Sequence, residues 1–152
     1  MSIIKAVISG SIGAVVLTVI HQVVRRRVAE APRMDILGMR ALARLLRLFG
    51  QKPPTGQRLY RSALIGDLLT NTVFYSLVGL GKPESALARG VGLGLAAGLG
   101  GIVLPEPLGL GKAPSARTPQ TQAMTIGWYL IGGLVAALVY RAIGALPVRA
   151  EQ

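Results

Sequence analysis

The chain is built from long apolar runs separated by short polar interruptions. The runs have the length of a bilayer crossing, roughly 20 residues, and lack the period-two alternation of a half-buried strand. Four of them predict transmembrane helices: Ile3 to Val24, Leu59 to Leu80, Glu84 to Leu104 and Met124 to Leu146. The segment 34 to 50, MDILGMRALARLLRLFG, follows a different pattern. Ile36, Leu37, Met39, Ala43, Leu46 and Phe49 gather on one side of a helix, while Arg33, Arg40, Arg44 and Arg47 step round the other at intervals of seven, four and three. Such a helix is too charged to span and is suited to lie in the interface. The expected fold is therefore all-α: a single polytopic membrane domain over 1–152, with four transmembrane helices and one interfacial amphipathic helix.

The interruptions carry stop and start signals. Gly50 ends the amphipathic helix, and Pro53-Pro54 forces an extended break. Pro83-Glu84 places a proline and an acid in the first turn of the third span, where the unsatisfied amides favour both. Leu104-Pro105-Glu106-Pro107 ends that span, and Thr118-Pro119 resembles an N-cap with proline at the first helical position. Gly90, Gly94 and Gly98 form a flat face on span three; Gly132, Gly133, Ala136 and Ala137 form another on span four. Small residues at this spacing allow close helix approach, either within the chain or between subunits. The string GLGK occurs at 79–82 and 109–112, but its glycine spacing is not that of a phosphate loop and no Ser or Thr follows the lysine, so helix-end capping is its plain meaning.

Composition agrees with the pattern: 51% of residues are hydrophobic, only 15% are charged, and mean hydropathy is +0.53. Cysteine is absent, which excludes disulfides, thiolate catalysis and Cys-based metal sites. The net charge of +11 is concentrated: residues 25 to 61 hold ten Lys/Arg against Glu30 and Asp35, a balance of +8. Between two apolar spans such a tract faces anionic headgroups; without interleaved aromatics it does not make a nucleic-acid site. The positive charge also predicts orientation, with residues 25–58 cytoplasmic in a multi-pass inner-membrane protein and both termini outside.

Candidate chemistry centres on Asp67 in the second span, because an ionisable group at that depth costs a few kcal/mol or more and marks a functional site by default. It shares a stripe with Tyr60, Asn71 and Tyr75; in the first span Thr18, His21 and Arg25 share another. Counting about 1.5 Å per residue from the cytoplasmic helix ends puts Asp67 about 12 Å deep, Thr18 about 9 Å and His21 about 5 Å. A polar line from the arginine-rich surface through His21 and Thr18 to Asp67, Asn71 and Tyr75 would bind a proton or cation. The plainer alternative is that Asp67 and Asn71 only hold helices in register. Arg33, Arg40, Arg44 and Arg47 are the candidate contacts for anionic lipid.

Three function classes follow. The first is a homo-oligomeric transporter or channel whose carboxylate in span two binds a proton or cation. The second is a non-catalytic scaffold or accessory subunit that binds anionic lipid or a partner protein through the arginine helix. The third is a lipid-modifying enzyme, with Asp67 and His21 as acid and base. No hydrolase elbow or metalloprotease motif is present, and one histidine without cysteine leaves few transition-metal ligands, so no cofactor, metal or catalytic residue is assigned. Membrane lipids and further copies of the chain are the expected partners.

Overall fold

The computed structural model describes residues 3–145. They form five α-helices and no strand: α1 Ile3–Val24, α2 Met34–Leu48, α3 Gly56–Ser76, α4 Ala86–Val103 and α5 Pro119–Ala145. Short 3-10 turns at Leu77–Gly79 and Pro83–Ser85 join α3 to α4. Three segments are long and apolar enough to cross a membrane, namely Ile3–Val24, Pro83–Val103 and Pro119–Ala145. Helix α3, expected as the second crossing, falls short on that measure because Gln57, Arg58, Arg61 and Asp67 lie within its 21 residues.

Local signals fix the helix ends. At Gly50 the backbone takes a left-handed φ of 69°, so that Gly50 N–H reaches Arg47 O at 3.0 Å and Gln51 N–H reaches Leu46 O at 2.8 Å. These two bonds close the carbonyl end of α2 in a Schellman motif. At the start of α5 the Thr121 amide donates to Thr118 Oγ1 at 3.1 Å, with Pro119 in the first position. The helix therefore begins five residues before the expected Met124; Leu146, its expected end, lies outside the described residues.

Helix α1 stands in the middle, with α3 on one side and α5 on the other; α4 packs on α5, and α2 packs on α3. Small residues on α1 make both contacts possible. A Cβ added at Gly10 would lie 2.6 Å from Ser76 N on α3, and one added at Gly13 would lie 2.6 Å from Gly132 O on α5. The glycine faces of α4 and α5 meet each other: Gly94 faces the Tyr129–Leu130 backbone, Gly98 faces Ile126, and Gly90 faces Gly133. These faces are thus used inside the chain, the first of the two alternatives that their spacing allows. Aliphatic stripes point outward instead, with Ile12, Val15 and Val19 on α1, Ile65, Leu69 and Val73 on α3, and Leu95, Leu99 and Val103 on α4 all exposed.

The two long connections lie at the same end of the bundle and are tied to each other. Arg117 donates to Ala29 O at 2.9 Å, Thr121 Oγ1 to Glu30 O at 2.9 Å, and Arg33 N–H to Pro114 O at 3.3 Å. Ser115 is fully buried, donates to Gly101 O and accepts through its carbonyl from Thr125 Oγ1 at 2.8 Å. At the opposite end Lys5 Nζ donates to Ile143 O at 3.3 Å, and Tyr140 OH to Gly79 O at 3.4 Å.

Candidate functional site

The close approach at Gly10 sets the register between α1 and α3, which run antiparallel. Gly10 stands opposite Thr72 and Ser76, and one end later Gln22 stands opposite Tyr60, whose hydroxyl donates to Gln22 Oε1 at 2.9 Å. This register brings Asp67 within about two residues of the level of Thr18. Thr18, His21 and Asp67 line one small enclosed cavity of about 20 Å³, together with Arg25, Asp35 and Tyr60. That volume has room for about one water molecule.

The walls of this cavity are polar and incompletely paired. Thr18 Oγ1, His21 Nε2 and Arg25 Nε are buried without a hydrogen-bond partner. His21 is only 5% exposed and is held by two aromatic rings of α5 in edge-on contact, Trp128 at 5.1 Å and Tyr129 at 5.7 Å between centroids. Buried polar atoms are nearly always satisfied, so three orphans around one cavity mark it as a place where a small polar guest is stabilised.

An ion cluster closes the cavity at the end where the two long connections lie. Asp35, in the first turn of α2, accepts from Arg25 Nη1 at 2.7 Å and from Arg33 Nε and Nη2 at 2.9 and 2.8 Å. Arg25 Nη2 also donates to Tyr60 OH at 2.9 Å, and its guanidinium lies 5.3 Å from the centre of the Tyr60 ring. The Asp35 side chain is 4% exposed. Burial alone would raise its pKa, but the Arg33 hydrogen bonds and the charges of Arg33 and Arg25 outweigh that and hold the carboxyl below the usual carboxylate range. The cluster carries a net charge of about +1, and it joins the end of α1 to the starts of α2 and α3.

Asn71 and Tyr75 do not line the cavity, although the side chains of both lie close enough to Asp67 to interact with it. Asn71 is buried, and its amide donates to the backbone carbonyl of Asp67 at 2.9 Å within α3. Tyr75 is fully buried with its hydroxyl donated to Tyr129 O at 2.8 Å, where it bolts α3 to α5 against Gly132. The four arginines also divide. Arg33 is engaged with Asp35, whereas Arg40, Arg44 and Arg47 line an open groove of about 510 Å³ between α2, the start of α3 and the turn at Gly109-Leu110.

Asp35 and Tyr60 were not singled out as site residues by sequence reasoning. The available signal for Asp35 was that it is one of only two acids among ten cations between residues 25 and 61. For Tyr60 it was the shared stripe with Asp67. No known protein family matches the chain, and comparisons with curated proteins and with solved structures give no significant match.

Proposed function

We propose that this is a four-span inner-membrane protein that binds and passes a proton at Asp67, in an assembly of several copies. The supporting observation is the convergence of Thr18, His21 and Asp67 on one small cavity, three of whose lining residues carry an unpaired buried polar atom. A carboxylate and an imidazole that share one water-sized space have the chemistry of a proton relay. The cavity suits a proton better than a metal ion, since among the described residues no three His, Cys, Asp or Glu side chains are grouped to hold one.

The fourth span in this reading is α3 with its 3-10 extension. Its outward Ile65, Leu69 and Val73 continue the aliphatic belt of the neighbouring helices, and its charged Arg58 and Arg61 lie in its first two turns, where they reach headgroups. The end that carries residues 25–58 is cytoplasmic by its excess of arginine, which places both termini outside. Helix α1 packs closely on α3 at Gly10 and on α5 at Gly13, so in this reading the rest of a proton path runs along a contact between copies.

The test is proton flux into liposomes that contain the purified protein, with wild type compared with Asp67→Asn and His21→Ala after gel filtration shows all three folded. Flux above protein-free liposomes is expected for wild type, loss for Asp67→Asn and reduction for His21→Ala. Wild-type flux equal to that of empty liposomes, or full flux in folded Asp67→Asn, refutes the proposal.

A further inference from the structure

The groove beside α2 is independent of the proton site. Arg40, Arg44 and Arg47 line it, with Leu110 and Gly109 from the connection between α4 and α5. No carboxylate lines the groove, and among the described residues no carboxylate is paired with these three arginines. Three cations held this close without a counter-charge repel one another, so an anion that enters is favoured on Coulombic grounds alone.

Two of the three guanidinium groups are placed by the chain itself. Arg40 Nη1 donates to Leu110 O at 3.2 Å and to Lys112 O at 3.0 Å, which uses both of its protons and leaves Nε and Nη2 as donors. Arg44 lies flat on Gly109, where a Cβ would stand 2.9 Å from Nη1 and 3.0 Å from Cζ. Gly109 also takes a left-handed φ of 68°, so both its backbone and its missing side chain fit the approach of Arg44. The remaining lining is apolar, with Ile36, Met39, Leu48 and Leu59. Leu48 is 71% exposed and the adjacent Phe49 74% exposed, a surface that suits contact with acyl chains.

We infer that this groove is a binding site for one acidic phospholipid, with its phosphodiester held by Arg40, Arg44 and Arg47 and an acyl chain laid against Leu48 and Leu59. Charge complementarity selects an anionic headgroup, and the apolar wall selects a lipid over free phosphate. Arg33 is not part of the site, because Asp35 engages it.

The experiment is thermal unfolding of the full chain in mild detergent with added phosphatidylglycerol, phosphatidylcholine or inorganic phosphate. Phosphatidylglycerol is expected to raise the Tm of wild type and of Arg26→Gln/Arg27→Gln, which loses two exposed cations from the connection between α1 and α2, outside the groove. In Arg44→Gln/Arg47→Gln the concentration needed should rise about thirtyfold, at about 1 kcal/mol for each of the two arginines. Phosphatidylcholine and inorganic phosphate should have little effect. Co-purified phosphatidylglycerol, quantified by mass spectrometry, gives a second readout if the lipid-free Tm of a variant shifts, and should fall only in Arg44→Gln/Arg47→Gln. Equal loss in both double variants would reduce the effect to diffuse charge and overturn the site. Equal stabilisation by phosphatidylcholine overturns the arginine seat, and equal stabilisation by inorganic phosphate overturns the lipid assignment.

Discussion

Asp35 is the residue whose removal should most loosen the end of the bundle that carries the two long connections. Asp35→Asn keeps the shape but puts an amide donor where two guanidinium groups need acceptors. Wild type makes three charge-assisted hydrogen bonds here, two of them to Arg33, whose side chain is 44% exposed. That exposed pair contributes ~1 kcal/mol at most. Arg25 is 19% exposed, so its 2.7 Å bond is worth about 1.5–2 kcal/mol. The expected loss is thus about 2–3 kcal/mol at neutral pH, a fall of roughly 4–12 °C in Tm for a chain of this size. The sign with pH follows from the direction of the Asp35 shift. A carboxyl held below its unfolded value of about 3.9 contributes fully above that pH and loses its contribution as pH falls through the folded pKa. Thermal unfolding in detergent from pH 7 down to pH 2 should therefore show a gap between wild type and variant that is constant at first and closes below about pH 4. A variant as stable as wild type at pH 7, or a gap that persists undiminished at pH 2, would refute the reasoning.

Two further outcomes separate packing from function. At Gly94→Ala the new Cβ meets Leu130 Cα at 2.6 Å and Tyr129 O at 2.8 Å, both backbone, so α4 and α5 must part at a cost of about 1–3 kcal/mol; Gly92→Ala meets nothing within 4 Å and should be neutral or slightly stabilising. Equal unfolding temperatures for these two variants would show that the glycine face is not the α4–α5 contact. Tyr75→Phe removes the 2.8 Å bond to Tyr129 O and should cost about 1 kcal/mol while leaving proton flux intact. A folded Tyr75→Phe protein without flux would place Tyr75 in the proton path after all.

Helix ends were legible because their causes are local. The Thr118-Pro119 cap and the Gly50 stop need only the residues beside them, and both are found where the residue types point. The connection between α4 and α5 reads as a long loop because nothing within it is periodic. Its order comes from partners far away in the chain, such as Arg117 on Ala29 and Arg40 on Leu110, and no local pattern encodes those. The glycine faces were legible as surfaces for close approach, but their partner was not. Spacing on one helix is the same whether the second backbone belongs to the same chain or to another copy.

The site divides along the same line. Helical spacing alone puts Thr18, His21 and Arg25 on one stripe and Tyr60 and Asp67 on another, so both halves are visible in the sequence. Their relative height is not, because it is set by where α1 and α3 touch. Counting from helix ends places Asp67 about 3 Å deeper than Thr18, and the contact of Gly10 with Thr72 and Ser76 is what brings the two to one cavity. The same contact explains why Asn71 and Tyr75, on the Asp67 stripe, do not line the cavity. Tyr75 is two turns further along, where α3 has reached the level of Gly132 and the neighbour that α3 meets is α5. A stripe is a property of one helix, and a site belongs to the stretch where two stripes cross. Here that stretch runs from Thr18 to Arg25 and from Tyr60 to Asp67, with Asp35 of α2 closing its open end.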